Sequence, residues 1–457
     1  PYSAVWQHLL ETVLTDYIVN SLLLMLGVGG GTLALGVSSA WLTALCEFPG
    51  RRFFTWALLL PMAMPAYIIA YTYTGLLDFT GPLQSLLRET FAWGYGDNYF
   101  PEIRSLGGAI CMLSLVLYPY VYLLARLAFA EQSTALLEAS RTLGKGPWST
   151  LFQVALPVAR PAIVAGLSLA LMETLADYGT VDYFGVSVFT TGIFRTWFGL
   201  GELRSAAQLA SCLLLFVFLL IVLERISRRR MRFYNAGLRQ HNARIALSGW
   251  RGNLSCALLG LILLGGFLLP AGQLLTWAAA DRGDSLDGPF FALVGNSFML
   301  AAIAALCCLL VALFLGYGKR LYPGRLESSA VRVAGMGYAI PGTVIAVGVL
   351  LPFAWLDNQV DSFMRDSFNI STGLMLSGTL VALVFAYVVR FLSVSLQTVE
   401  SGLEKIKPGI DESARSLGSS PAQVLRRVHL PMLRGSLLTA LLLVFVDVLK
   451  ELPTTLI

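Results

Sequence analysis

The chain of 457 residues is 56% hydrophobic and 13% charged, with a formal net charge of +5. Soluble domains carry roughly 25% charged residues, so this composition excludes a soluble globular enzyme and an intrinsically disordered chain. Six cysteines in a chain of this length are too few for a disulfide framework. The composition predicts a protein that lies mostly in lipid.

Ten runs of predominantly apolar residues are long enough to cross a bilayer as helices, which requires about 20 residues each. The predicted spans are 18–45, 54–77, 105–130, 160–180, 203–225, 253–278, 290–317, 330–352, 372–396 and 435–452. The glycines between Gly27 and Gly36 favour close helix packing in the first span.

The distribution of charge between the spans predicts their orientation. Segment 226–252 contains seven arginines and no acid, and 319–332 is also basic. The intervening loops at 281–287 and 357–366 are acidic. Because basic loops stay on the cytoplasmic side, every loop can be placed consistently with ten spans. The lipid bilayer, rather than nucleic acid, is therefore the expected partner of the basic linker.

The chain repeats itself at an offset of 274 residues in its best-matched stretch. Glu138–Pro157 pairs without a gap with Glu412–Pro431, and Pro65 pairs with Pro341 at an offset of 276. Both copies of the longer stretch lie on the predicted cytoplasmic side, so the two halves are parallel repeats. We expect a complete protein of two six-helix halves, with one further span before residue 1 and one after residue 457.

The repeated loop predicts a helix, a stop at glycine and a second short helix. Gly144 and Gly418 provide the stop, and Pro147 and Pro421 can open the next helix. The Leu-Pro pair is expected to close the loop before the next span. Such a projection suits docking on a partner, although a single copy would equally suit an ordinary connecting loop.

Glu-Ala-x-x-x-x-Gly, followed by Leu-Pro thirteen residues after the glycine, resembles the EAA loop of bacterial ABC-importer permeases. The second copy departs from the family pattern at Ser413. The flanking sequences Met172–Gly185 and Asp447–Pro453 resemble the ferric-iron permeases of that family. The residues that the resemblance assigns to ATPase coupling are Glu138, Ala139, Gly144, Leu156, Pro157, Glu412, Ser413, Gly418, Leu430 and Pro431.

The resemblance implies an all-α integral membrane protein with the type I ABC-importer permease fold. Its first repeat is expected at 1–225 with an EAA loop at 131–160, and its second at 253–457 with an EAA loop at 397–434. The Arg-rich linker 226–252 joins them. The resemblance also implies a bacterial inner-membrane location, a periplasmic substrate-binding protein and a dimer of cytoplasmic ABC ATPases as partners.

We expect this chain to be a transport subunit without enzymatic activity. It has no Gly-x-x-x-x-Gly-Lys-Ser/Thr sequence to cradle nucleotide phosphates. No cofactor is therefore expected on this chain, and ATP and magnesium belong on the partner ATPase.

Acidic residues within membrane spans are candidates for a transport pathway because burying charge in lipid is costly. Glu173 and Asp177 lie four residues apart on one helix face, and Asp447 and Glu451 occupy the repeated positions. Their oxygens suit hard cations. The predicted pathway residues are Glu173, Asp177, Tyr178, Asp447, Glu451, Pro65 and Pro341, and no metal-ligand set is assigned. The two prolines are expected to break or kink helices; a break would suit a transporter site, and a simple kink is the alternative.

Several functions remain compatible with the sequence. The leading prediction is an ATP-driven importer permease for ferric iron, and the same class could carry thiamine, polyamines or phosphonates. An ion-coupled secondary transporter could use the membrane acids as proton or sodium sites, but would not need two ATPase-docking loops. A third possibility is an integral-membrane enzyme. The sequence disfavours it, because the predicted spans contain neither a nucleophile–base pair nor a metal-ligand cluster.

Overall fold

The computed structural model describes residues 4–92, 101–130, 142, 144, 146–229, 244–280, 288–404 and 406–456. Contacts divide the chain into two compact units, Pro1–Gly283 and Asp284–Ile457. The helices of the first unit are α1 (Ala4–Thr12), α2 (Leu14–Leu45), α3 (Arg51–Ala57), α4 (Ala66–Leu77), α5 (Pro82–Phe91), α6 (Leu106–Ala130), α7 (Pro147–Thr150), α8 (Leu156–Ala176), α9 (Gly179–Tyr183), α10 (Phe189–Phe194), α11 (Leu203–Arg229), α12 (Trp250–Leu263) and α13 (Leu269–Ala280).

The second unit is described by seven further helices. They are α14 (Gly288–Leu321), α15 (Arg325–Ala334), α16 (Gly342–Phe368), α17 (Leu380–Glu404), α18 (Pro408–Ser416), α19 (Pro421–Val424) and α20 (Leu430–Lys450). Wider π-turns join α7 to α8, α12 to α13 and α19 to α20. Among the described residues, the two strands are the two-residue β1 (Cys46–Glu47) and β2 (Ile245–Ala246) in the first unit.

Nine helical stretches in the described ranges are long and apolar enough to cross a membrane. Arg51–Ala63 and Ala66–Phe91 pass the same test together as a pair bent by 92°, which makes ten spans if the pair counts as one broken span. This set corresponds to the ten predicted spans, and the all-α membrane architecture is confirmed.

The eighth predicted span, 330–352, is wrong in position. Pro341 adopts φ −56° and ψ 141°, outside the helical region, so α16 begins only at Gly342 and then continues to Phe368. The expected acidic loop 357–366 is therefore helical. The carboxylate of Asp357 remains buried there because it accepts hydrogen bonds from the backbone N–H groups of 375–377.

Close packing of α2 on α6 depends on glycine, as the sequence predicted. A Cβ atom at Gly36 would lie 2.7 Å from Val121 Cβ, and one at Gly31 would lie 2.8 Å from Ser114 Cβ. Any larger residue would push the helices apart, so these glycines set the separation of the two spans.

The span formed by α12 and α13 packs within the first unit. Tyr73 Oη donates a hydrogen bond to Gly265 O at 2.5 Å. The ring of Trp277 fills the notch at Gly75, where a Cβ atom would lie 2.7 Å from the indole. The boundary between compact units therefore follows this span, whereas the repeat boundary at 226–252 is a prediction from sequence alone.

The end of the predicted linker returns to the end of α2. Strands β1 and β2 pair in parallel, with Cys46 opposite Ile245. Arg244 Nη1 lies 3.3 Å from Glu47 Oε2 at the same place. Residues 230–243 of the linker lie outside the described residues.

The second unit is built around α14, α17 and α20. Small residues of α14, including Ala301, Ala304 and Cys308, pack in one buried cluster with Tyr387 of α17 and Val444 of α20. The short helices α18 and α19 connect α17 to α20 and contain the second copy of the repeated loop.

Candidate coupling loops and membrane carboxylates

The second repeated loop has the helix–glycine–helix shape predicted for it. Helix α18 contains Glu412 and Ser413 and is followed by Gly418 at φ +81°. A left-handed backbone of this kind favours glycine. Ser420 then caps α19 reciprocally with Gln423: Gln423 N donates to Ser420 Oγ at 3.4 Å, and Ser420 N donates to Gln423 Oε1 at 3.0 Å.

The first loop is described only in part. Glu138 and Ala139 lie outside the described residues. Gly144 has φ +76°, matching Gly418, and Pro147 begins α7 as Pro421 begins α19. The two loops therefore share their glycine stop and their proline start, while the predicted coupling role of Glu138 and Ala139 stays a prediction.

The Leu-Pro pairs do not close the loops as the sequence predicted. Leu156 and Pro157 begin α8 directly after the π-turn Leu151–Ala155, and Leu430 and Pro431 begin α20 after the π-turn Leu425–His429. A proline lacks an N–H group and crowds the carbonyl four residues earlier. The wider turn accommodates the proline, so each helix runs on from the loop into the span.

In the first unit, Asp177 caps the turn that follows α8. Its Oδ1 accepts hydrogen bonds from the backbone N–H groups of Thr180 and Val181 at 3.1 Å each, and its Oδ2 accepts one from Thr180 Oγ1 at 3.0 Å. Glu173 lies one helical turn earlier on α8. The structure thus places the first predicted acid pair at the end of α8, with Asp177 engaged locally.

Tyr178 follows Asp177 and packs on an aromatic cluster. Its ring centroid lies 4.4 Å from that of Phe194, whose ring is stacked on Phe198 at 5.6 Å. Tyr183, the other phenol of this segment, lies under the guanidinium of Arg104, whose Cζ is 5.0 Å from the ring centroid. The two tyrosines therefore belong to different side-chain clusters.

In the second unit, both predicted acids have basic partners. Asp447 Oδ1 lies 3.3 Å from Lys450 Nζ, and Glu451 Oε2 lies 3.2 Å from Arg390 Nε. The side chains of Arg390 and Glu451 are only 5% and 8% exposed. An ion pair buried in this way needs good geometry and further hydrogen bonds to be stable, because water solvates neither charge.

The Arg390–Glu451 pair joins three elements of the second unit. Arg390 on α17 also donates from Nη1 to Ile340 O at 3.0 Å, in the turn before α16. Glu451 Oε1 accepts hydrogen bonds from Thr454 N and Oγ1 at 3.2 and 2.6 Å. Sequence reasoning did not single out Arg390, although a lone arginine in an apolar run is itself a signal of an intramembrane partner.

Pro65 and Pro341 occupy matching places in the two units. Each follows a short 3₁₀ turn and immediately precedes a helix, α4 or α16. Pro65 has φ −58° and ψ 138°, close to the values for Pro341. The structure therefore has helix breaks at these two prolines rather than simple kinks.

The arrangement places carboxylate oxygens at the ends of α8 and α20, and in the second unit Arg390 joins one of them to the turn before α16. In the described part of the chain, no three His, Cys, Asp or Glu side chains come together as a metal site. Such carboxylates can attract a cation through charge while holding it with few ligands, which a conducting pathway requires.

Comparison with known families identifies two matching segments. The family described as "Binding-protein-dependent transport system inner membrane component" matches residues 32–233 and 308–457. These segments contain both repeated loops, both acid pairs, and Pro65 and Pro341 at the two helix breaks.

Similarity to individual proteins extends along nearly the whole chain. The Fe(3+)-transport system permease protein FbpB 2 of Haemophilus influenzae is 26% identical over 97% of this chain and 81% of its own length. A putative ferric transport system permease protein, FbpB 1, of the same organism is 24% identical over 97% of this chain and 70% of its own length. The molybdenum transport system permease protein ModB of Escherichia coli is 30% identical over 38% of this chain and 74% of its own length.

Proposed function

We propose that this chain, which belongs to the family of binding-protein-dependent transport system inner membrane components, moves ferric iron across the membrane. Membership confirms the predicted type I permease fold and the multi-pass position in the inner membrane. The class of the chain, a transport permease, follows from the family, and the substrate and the partners are our proposal.

The observation that carries the iron assignment is the extent of the similarity. Two permeases named for ferric iron align with 97% of the chain, including both halves. The molybdenum permease aligns with 38% of the chain. The longer alignments therefore support iron, and the shorter one supports the permease class.

We propose that two cytoplasmic ATPase subunits dock on the two repeated loops. Leu417, on the second loop beside Gly418, is 86% exposed and available to a partner. A binding protein would deliver iron to the outer face, and ATP binding and hydrolysis on the partner would drive alternating access. ATP and magnesium would remain with the ATPase.

We propose that Glu173, Asp177 and Asp447 attract the cation, with Tyr178 next to Asp177 in the chain. Glu451 contributes differently, because its carboxylate is paired with Arg390 and bonded to Thr454. Its role in the pathway is to hold the turn that follows α20. Pro65 and Pro341 open the helix breaks that such a pathway needs.

Uptake into proteoliposomes tests this function. The full-length permease and its cognate ATPase would be reconstituted into the vesicles, and the binding protein would be supplied on the face of the permease opposite the ATPase. Uptake of radioactive ferric iron would then be measured with and without ATP. We expect uptake that depends on ATP and on the binding protein. ATP hydrolysis stimulated by the binding protein without iron uptake would overturn iron and keep the importer class.

Neutralising the acids tests the pathway. In Glu173→Gln/Asp447→Asn, we expect iron uptake to fall about tenfold, the loss given by roughly 1.4 kcal/mol of lost stabilisation. The matched control is Asp366→Asn, which removes one acid from the exposed outer end of α16. Equal uptake in both variants would remove these acids from the pathway.

A further inference from the structure

The cytoplasmic end of α14 is bonded to the second repeated loop through one arginine. Arg320 Nε lies 2.7 Å from Asp411 Oδ2, in the first turn of α18. Its Nη1 donates to Leu403 O at 2.5 Å, and its Nη2 donates to Ile406 O at 2.8 Å. The planar guanidinium uses its fork of donors to join α14, the end of α17 and the start of α18.

The other oxygen of the same carboxylate binds the far end of the loop. His429 Nε2 lies 2.7 Å from Asp411 Oδ1, and His429 is fully buried just before α20. Within the described ranges, His429 Nδ1 has no hydrogen-bond partner. A proton on Nε2 rather than on Nδ1 avoids burying an unsatisfied N–H group, so the histidine donates from Nε2 to Asp411.

Asp411 therefore closes the loop on itself. The loop begins at α18 and ends at His429, and both ends meet on one carboxylate that is 22% exposed. Tyr317 adds a further attachment, since its Oη donates to Pro421 O at 2.7 Å and its ring lies 5.3 Å from that of His429. The loop is thus fastened to α14 at its start, its middle and its end.

We infer that three residues hold the second loop rigidly on α14, so that the loop transmits ATPase movement to the second half of the permease. We call these residues, Arg320, Asp411 and His429, the coupling clasp. The inference rests on the proposed docking of an ATPase on this loop. The three side chains are positioning residues, because they fix the loop without forming its exposed surface. Displacement of α18 by a partner would move α14 and α17 with it.

The first half lacks this device in its sequence. At the repeat offset of 274, the positions of Arg320, Asp411 and His429 are occupied by Cys46, Leu137 and Ala155. None of these residues can form a charge-assisted hydrogen bond of the same kind. The clasp is therefore a property of the second half, and the two loops should not contribute equally to coupling.

The test measures iron uptake per ATP hydrolysed, in the complete complex reconstituted in proteoliposomes. Three variants break the clasp at different points: Arg320→Met, Asp411→Asn and His429→Leu. We expect the ATPase to copurify and to hydrolyse ATP, while uptake per ATP falls about tenfold, because each variant removes a charge-assisted hydrogen bond that holds the loop in place. A loop that still docks but moves independently of α14 would waste hydrolysis in this way.

Two further variants separate coupling from general damage. His429→Gln keeps an N–H donor within reach of Asp411, so we expect it to restore most of the coupling lost in His429→Leu. Lys319→Met removes the neighbouring pair with Glu400, in which Nζ and Oε1 are 2.7 Å apart and which joins α14 to α17 outside the segment from α18 to His429. We expect this control to retain normal coupling.

The outcomes distinguish this inference from the proposed function. Normal uptake per ATP in all three clasp variants, with wild-type protein transporting iron, would overturn the clasp and leave the function intact. An equal loss in Lys319→Met and in His429→Gln would also overturn it, since any disturbance near α14 would then suffice. If wild-type protein transports no iron, binding-protein stimulation of ATP hydrolysis reports coupling instead, and loss of that stimulation only in the clasp variants would support the inference.

Discussion

The turns after α8 and α20 share a local design and differ in their ionic partner. Both follow the pattern acid-x-x-Thr, and in each the acid accepts hydrogen bonds from the backbone and the hydroxyl of the threonine three residues later. Glu451 is additionally paired with Arg390. At the two offsets of the repeat, the first half carries Val116 or Ser114 where the second has Arg390, and neither is charged.

This difference shows what a sequence repeat preserves. A cap between neighbouring residues is encoded within four positions, so both halves retain it. A pair between distant helices requires two positions to agree, and the halves have diverged at one of them. We therefore expect the second turn to depend strongly on its long-range partner and the first turn to depend mainly on its cap.

The largest expected effect is that of removing Arg390. Arg390→Met leaves the Glu451 carboxylate buried without its base, and breaking one partner of a buried pair costs about 3 to 5 kcal/mol. Thermal unfolding of the purified protein in detergent would measure the loss. The double variant Arg390→Met/Glu451→Gln should recover much of the stability, because the uncompensated charge is gone. A double variant as unstable as the single one would contradict this account.

Packing at Gly342 also distinguishes the turn after α20 from the turn after α8. A Cβ atom there would lie 2.6 Å from Thr454 Oγ1 and would also clash with Glu451 Oε1. The repeat partner of Gly342 is Ala66, after Pro65. Gly342→Ala should cost about 1 to 3 kcal/mol through overpacking, measured by the same unfolding experiment. The control Ala66→Gly should cost about 1 kcal/mol or less, as expected for glycine in a helix. Equal effects would mean that the ion pair does not determine the need for glycine.

The membrane spans were predictable because lipid imposes a simple requirement on them. A bilayer demands long apolar helices, and the ten predicted runs correspond to nine described spans and one bent pair. Pro65 and Pro341 also marked helix breaks through their fixed backbone geometry. These features depend on local sequence, which is why they could be found without a structure.

Features that depend on distant contacts were not predicted. Asp357 was assigned to an outer loop because it is charged, but N–H groups of 375–377 satisfy it within α16. The pairing of Glu451 with Arg390 joins residues 61 positions apart in the chain, and the clasp joins Arg320 to Asp411 across 91. No local pattern specifies such partners.

The shared caps should respond equally to loss of the threonine hydroxyl. Thr180 and Thr454 are both fully buried, and each donates its hydroxyl proton to the acid. We expect Thr180→Val and Thr454→Val each to cost about 1 to 3 kcal/mol, the range for removing a partner of a buried group. Unfolding measurements on the two single variants test this equality. A much larger loss in Thr454→Val would indicate that the cap and the Arg390 pair act together.

The smallest effect is expected at the C-terminal end of α2. There Glu47 is 50% exposed and is shared between Arg244 and Arg51, at 3.3 and 3.1 Å. In Arg244→Gln, Glu47 retains Arg51, and an exposed pair contributes at most about 1 kcal/mol. The loss should disappear at high salt, because exposed charges are screened. Melting temperatures at low and high salt would measure it. A large loss that persists in salt would instead make the attachment of the linker to α2 comparable with that of the second loop to α14. The C-terminal ends of α2 and α14 would then have equivalent attachments made from different residues, and the Arg390–Glu451 pair would be the remaining difference between the halves.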